Sequence, residues 1–166
     1  MEENKSSEYF NYYISRVKNK PLVNCLSDQK LNVLDFLRRI APVKYDYAYA
    51  EGKWSVKELL FHIVETELIM LYRAIRVSKG DQTSLPGYDE DFMVNQTRVS
   101  DMKFEELIAL FERARGNTLF YYSHFNQEEL DRVGFFSDLS LDVKGLGYLM
   151  AGHADHHIEV LKEKYL

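Results

Sequence analysis

The stretch Trp54-Ser55-Val56-Lys57-Glu58-Leu59-Leu60-Phe61-His62 opens the clearest helix in the chain, and its reading decides the fold class. Ser55 at the N-cap followed three residues later by Glu58 is a capping box, in which each side chain satisfies a backbone N–H of the other residue. Beyond it the apolar positions recur at helical period as far as Lys79, where Gly80 suits a C-cap. With His62 at zero on a helical wheel, Leu59, Thr66, Ile69 and Arg73 fall within about 60°, and Glu58 and Glu65 flank that stripe.

Working outward, the chain shows further helical patterns. A short N-terminal helix is expected over Glu8–Val17. A longer one runs from Pro21, at a favourable first position, to Ile40, with Leu26, Leu31, Leu34 and Leu37 on its apolar side. Pro42 ends it, and 43–53 reads as an extended crossover carrying Tyr45, Tyr47 and Tyr49. The segment 81–91 is a loop with Pro86 and Gly87. A third long helix spans 103–124, with Phe104, Leu107, Ile108, Phe111, Ala114 and Leu119 on one face. Residues 127–132 add a turn, 133–141 is irregular or weakly extended, and the last helix covers 143–164. Four long helical patterns without a convincing alternating strand predict an all-α chain. The expected architecture is an antiparallel four-helix bundle with crossover loops, built as a single domain over residues 1–166.

Bulk properties agree with one domain. A 166-residue chain buries enough surface to fold without staples, and 46% hydrophobic with 28% charged residues is ordinary globular usage. The single cysteine, Cys25, excludes a disulfide framework or a thiolate zinc module and reads as a buried structural thiol. A net charge of −5 without a Lys/Arg stripe argues against a nucleic-acid partner. No apolar run approaches the roughly 20 residues of a membrane span, and the polar N-terminus shows no signal peptide, so a cytoplasmic location and no membrane partner are expected.

The chemistry concentrates in Gly152-His153-Ala154-Asp155-His156-His157, which holds three of the five histidines. His153 and His157, four apart, lie on one face of a helix and share it with Leu146, Leu149, Met150 and Val160; His156 flanks them, and Lys144, Asp155 and Lys162 point the other way. His62 points inward from its own helix. A divalent ion held without thiolates needs such a third imidazole, so His62, His153 and His157 form a candidate metal site with positions open to water or substrate. The plainer reading is a set of core histidines satisfied by hydrogen bonds. Glu65 and His156 are candidates for orienting the ligands from outside, with Glu65 also a candidate general base or simply a solvated acid. His124 reads as a surface or capping residue. No zincin motif, phosphate loop or nucleophile elbow is present, and no catalytic residue is assigned.

Taken together, Gly52-Lys53-Trp54-Ser55-Val56-Lys57-Glu58, Leu60-Phe61-His62-Ile63, Glu65-Thr66-Glu67, Tyr72-Arg73-Ala74, Gly80-Asp81-Gln82-Thr83, Leu85-Pro86-Gly87 and the closing histidine cluster through Tyr165-Leu166 resemble the DinB-like superfamily. That group of metal-binding four-helix bundles contains bacillithiol transferases and mycothiol-dependent maleylpyruvate isomerases. The resemblance implies one ligand from the second long helix and two, four apart, from the last: His62, His153 and His157. It also implies a divalent metal, nickel or zinc, and frequent homodimers. A metal-dependent enzyme similar to low-molecular-weight-thiol S-transferases follows, acting on a small-molecule thiol and an electrophile. The alternatives are a metal-dependent hydrolase or a non-catalytic metal-binding, stress-response protein. The segment 134–143 departs from the family by lacking a Gly-Arg-Pro-like turn. The family's name is shared with an unrelated DNA polymerase, an activity that this small acidic chain does not support. On the last helix Ala151, Ala154, Ile158, Leu161 and Tyr165 make a second apolar stripe, to be covered by the N-terminal segment or by a second subunit; a homodimer is expected.

Overall fold

The computed structural model describes the backbone of residues 2–137 and 139–166, and the side chains of all of these but residues 2–7, 9 and 139. Helix α1 (Glu2–Val17) precedes α2 (Leu22–Arg38), and a 3-10 turn at Pro42–Lys44 leads into the crossover to α3 (Val56–Ser78). A short α4 (Glu90–Gln96) follows, then α5 (Phe104–Tyr122) and α6 (Gln127–Asp131). The hairpin β1 (Val133–Phe136) and β2 (Leu139–Asp142) feeds α7 (Val143–Val160), which closes in a π turn at Leu161–Tyr165.

The bundle consists of α2, α3, α5 and α7. Helix α3 packs between α5 and α7, and so does α2, so the connections from α2 to α3 and from α5 to α7 are crossovers. Antiparallel pairing is visible in the contacts. Trp54 meets Tyr165 at one end of the α3–α7 pair, and Met70 meets Leu149 further along. In the α2–α5 pair, Arg115 reaches Leu26 and Gln29 while Arg38 reaches back to Glu112. Two apolar clusters fill the interior. One gathers Leu37, Leu60, Ile63, Phe104, Phe111 and Leu161, the other Leu26, Met70, Leu71, Leu146 and Met150. Between them lies a layer of buried polar residues, among them His62, Thr66, Glu67, Arg115, Thr118 and His153.

Most expected elements form, and the differences have local reasons. Ser55 and Glu58 make the full capping box, with Ser55 Oγ accepting from Glu58 N at 3.3 Å and Glu58 Oε2 accepting from Ser55 N at 2.7 Å. Gly80 follows α3 with φ of +83°, the left-handed conformation that only glycine adopts freely. Pro21 is the N-cap of α2 rather than its first helical residue, and Leu31 faces water at 67% exposed because the core stripe runs through Val33, Leu34 and Leu37. The N-terminal helix begins already at Glu2. The expected 81–91 loop gives way at its end to α4, capped by Asp89, whose carboxylate accepts from Phe92 N at 2.8 Å.

The weakly extended 133–141 segment is a hairpin in register Val133↔Asp142 to Phe136↔Leu139; its Asp138 lies outside the described residues. Helix α1 lies along α7. Gly152 makes this approach close: a Cβ there would stand 2.0 Å from the backbone oxygen of Tyr13. Arg16 secures the contact by pairing with Asp155 at 2.8 Å and Glu159 at 2.6 Å. Ala151, Ala154, Ile158, Leu161 and Tyr165 are all buried by the chain's own packing, so that stripe supplies no argument for a second subunit. Among the described residues, no helix is long and apolar enough to cross a membrane.

Candidate metal centre

His62 stands in the second turn of α3, whose start the capping box holds in place, and His153 and His157 stand one turn apart on α7. Antiparallel packing of these helices brings residues 91 apart in sequence into contact. The Nε2 atom of His153 lies 3.0 Å from Nε2 of His62 and 3.0 Å from Nε2 of His157. The ligand atoms of all three lie within 4.8 Å of one another. His62 and His153 are buried, and His157 is half-buried.

Three ring nitrogens gathered around His153 Nε2 cannot all be satisfied by hydrogen bonds. A neutral imidazole nitrogen offers either one proton or one lone pair, so Nε2 of His153 can serve one neighbour well but not two. The Nδ1 atom of His157 is also buried with no hydrogen-bond partner among the described residues. Protonation does not resolve the crowding. Burial pushes His62 down to about 4. It pushes His157 down to about 2, with His62 and His156 adding to the effect. His153 is driven well below its ordinary value by burial and by the neighbouring imidazoles. All three are therefore neutral at physiological pH, the form that binds metal. Metal–nitrogen bonds of about 2.0–2.1 Å meeting near right angles place two ligand nitrogens about 3 Å apart. The two 3.0 Å spacings match that donor set, and with all three ligand atoms within 4.8 Å of one another the cluster could hold a divalent ion.

The surroundings are aromatic on two sides. The Trp54 ring lies 4.6 Å from that of His62, and Tyr13 presents an edge to His153 at 5.4 Å. On the third side His157 borders a cavity of about 350 Å³, whose walls include Tyr49, Lys53, Trp54, Asp91 and Tyr165. Tyr165 shapes this wall by donating its hydroxyl to the Trp54 carbonyl at 2.7 Å.

The flanking candidates separate. His156 turns away, with Nδ1 3.1 Å from the hydroxyl of Tyr12 on α1, and it borders the cavity beside His157. Glu65 is half-buried, and burial raises its carboxyl, but among the described residues no hydrogen bond joins it to the three imidazoles. His124 lies on the surface, 2.6 Å from the Phe120 carbonyl. Cys25 is buried and its thiol is pushed up by burial, as suits a structural residue. Sequence reading did not assign Trp54, Tyr165 or Tyr13 to the site. Trp54 and Tyr165 flank its sequence signals, yet only folding shows which ring faces an imidazole.

A four-helix bundle with crossover connections and a three-histidine cluster, two of its members buried and the third beside an open cavity, defines a class of helical bundle with a candidate metal site. The model of the DinB superfamily matches residues 22–161, and the chain belongs to that superfamily. It is 22% identical over 143 residues to a curated protein of Oceanobacillus iheyensis named "Putative metal-dependent hydrolase OB0413", covering 84% of this chain and 73% of that one. In fold it is similar to YfiT from Bacillus subtilis, with a TM-score of 0.74, 16% identity, and coverage of 86% of this chain and 82% of that one. YfiT is described as a probable metal-dependent hydrolase with an unusual four-helix bundle topology.

Proposed function

We propose that His62, His153 and His157 hold a divalent metal ion and that the chain is a metal-dependent enzyme delivering a small nucleophile to an electrophilic substrate in the adjoining cavity. The observation that carries this reading is the double position of His157, which belongs to the cluster and also borders the cavity of about 350 Å³. A purely structural ion is enclosed by its ligands, whereas a catalytic one keeps a position open. When bound, such an ion supplies Lewis-acid chemistry that lets water or a thiol act as a nucleophile at neutral pH. The protein's own part is to keep the three imidazoles neutral by burial, to shield the cluster with Trp54 and Tyr13, and to seat a substrate against Tyr49, Trp54 and Tyr165.

Water as the nucleophile makes the protein a hydrolase, the reading in keeping with the names its relatives carry. A low-molecular-weight thiol makes it an S-transferase, and the cavity has room for a nucleophile larger than water. Nickel and zinc both suit imidazole ligands.

The test begins with elemental analysis of purified wild type beside His62→Ala and His153→Ala, where one equivalent is expected in wild type and none in the variants. Metal-loaded protein is then given ester and amide substrates, and separately a thiol with a panel of electrophiles, against a His157→Ala control. Turnover with water alone identifies a hydrolase, and turnover only with thiol identifies a transferase. Bound metal without turnover of either kind would leave a non-catalytic metal protein.

A further inference from the structure

The three ligand imidazoles are neutral, so a divalent ion held by them keeps a full charge that its ligands do not cancel. A partly buried carboxylate with no cation of its own stands nearby. Glu90, the first residue of α4, is half-buried, and among the described residues it makes no ion pair and no side-chain hydrogen bond. Burial raises its carboxyl, and Asp91 and Asp89 add to the rise. It is held in place by its helix, since Asp89 caps α4 and Val94 anchors it in the interior at 1% exposed.

Glu90, Thr66 and His153 border one small void of about 20 Å³. That volume is room for a single water, which needs polar partners to settle there. Glu90 and the hydroxyl of Thr66, itself 3.3 Å from the Tyr88 hydroxyl, supply them. His153 turns Nε2 toward the other two histidines, so its other ring nitrogen lies on the opposite side of the ring. Metal-bound histidines are ordinarily oriented by an acceptor at that second nitrogen, and a carboxylate reached directly or through water is a frequent choice.

We propose that Glu90 is the positioning residue and counter-charge of the metal centre, holding the His153 ring through one water in the shared void. The proposal rests on the metal reading above. It assigns to α4 a purpose that neither Glu65 nor His156 fulfils, because neither is hydrogen-bonded to a ligand imidazole among the described residues.

The test compares wild type, Glu90→Gln and Glu90→Asp. Zinc affinity is measured by competition with a chromophoric chelator, and melting temperature is measured for the metal-free and zinc-loaded forms. Glu90→Gln is expected to bind zinc about 10–100-fold more weakly. Its metal-free melting temperature is expected to be unchanged or higher, since an unpaired carboxylate has been removed. Glu90→Asp is expected to fall between the two in affinity. Cobalt-loaded Glu90→Gln is expected to show a shifted visible absorption band. Wild-type zinc affinity in Glu90→Gln would overturn the proposal, as would an affinity loss accompanied by an equal fall in metal-free stability. Failure of the wild type itself to take up zinc, nickel or cobalt would instead overturn the metal reading.

Discussion

Glu67 and Arg115 form a fully buried, two-pronged ion pair, with Glu67 Oε1 accepting from Arg115 Nε at 2.6 Å and Oε2 accepting from Nη2 at 2.9 Å. The pair joins α3 to α5, and the connection continues. Arg115 Nη1 donates to Gln29 Oε1 on α2 at 2.6 Å, and Gln29 Nε2 donates to the Ala151 carbonyl on α7 at 2.7 Å. Thr118 adds a bond to Glu67 at 2.8 Å. One chain of hydrogen bonds thus ties all four bundle helices at one height. It ends two residues before His153 and begins five after His62, so it holds the register on which the histidine cluster depends.

Removing one partner of this pair leaves the other charge buried. Glu67→Met or Arg115→Met is expected to lower unfolding free energy by about 3–5 kcal/mol, whereas the double variant Glu67→Met/Arg115→Met loses much less than the sum. Urea denaturation of the three proteins checks this. Additive losses would show that the two residues act independently.

Helix α3 depends on its start. Ser55→Ala removes the acceptor for Glu58 N and is expected to cost about 1 kcal/mol. Because His62 lies in the following turn, fraying there also weakens metal uptake. Denaturation beside a chelator competition assay measures both effects, and Ser55→Asp, which restores a capping oxygen, is expected to recover them.

Gly152 is the point where α1 touches α7. Gly152→Ala places a methyl 2.0 Å from the Tyr13 carbonyl, and that backbone must move. A loss of about 1–3 kcal/mol is expected, typical of overpacking. Hydrogen exchange is expected to rise in α1 and to stay low in α3 and α5. Unchanged protection of α1 would contradict the close packing described.

Tyr165 predicts behaviour at high pH. Burial pushes its phenol up to about 12, with Tyr49 and Glu58 contributing, against about 10 in an unfolded chain. The folded state therefore favours the protonated phenol. Its contribution is complete below about pH 10 and is lost as pH rises through about 12. Tyr165→Phe is expected to be less stable than wild type at pH 8 by about 0.5–1.5 kcal/mol, the worth of the bond to the Trp54 carbonyl. The gap is expected to narrow steadily above pH 10, as denaturant melts of both proteins at each pH would show.

Ser55, Glu58, His153 and His157 were legible in the sequence because their relationships are local. A capping box spans three residues and a helical turn four, so spacing alone puts these groups together whatever the rest of the chain does. The long helices follow for the same reason, since each apolar stripe repeats within its own segment. The sequence by itself thus determined the four bundle helices, the inward face of His62, His153 and His157, and the pairing of His153 with His157.

Tertiary structure decided everything that requires two segments to meet. The height at which α3 crosses α7 brings His62 to the pair, and Glu67, Arg115 and Gln29 hold that height. The same holds for the second apolar stripe of α7, buried within the chain itself, and for Leu31, turned to solvent. The bridge from Leu85 to Phe136 at the hairpin and the return of α4 toward His153 arise only when distant segments pack. Periodicity carries the direction in which a side chain points along its own helix; it carries no information about which neighbour stands opposite.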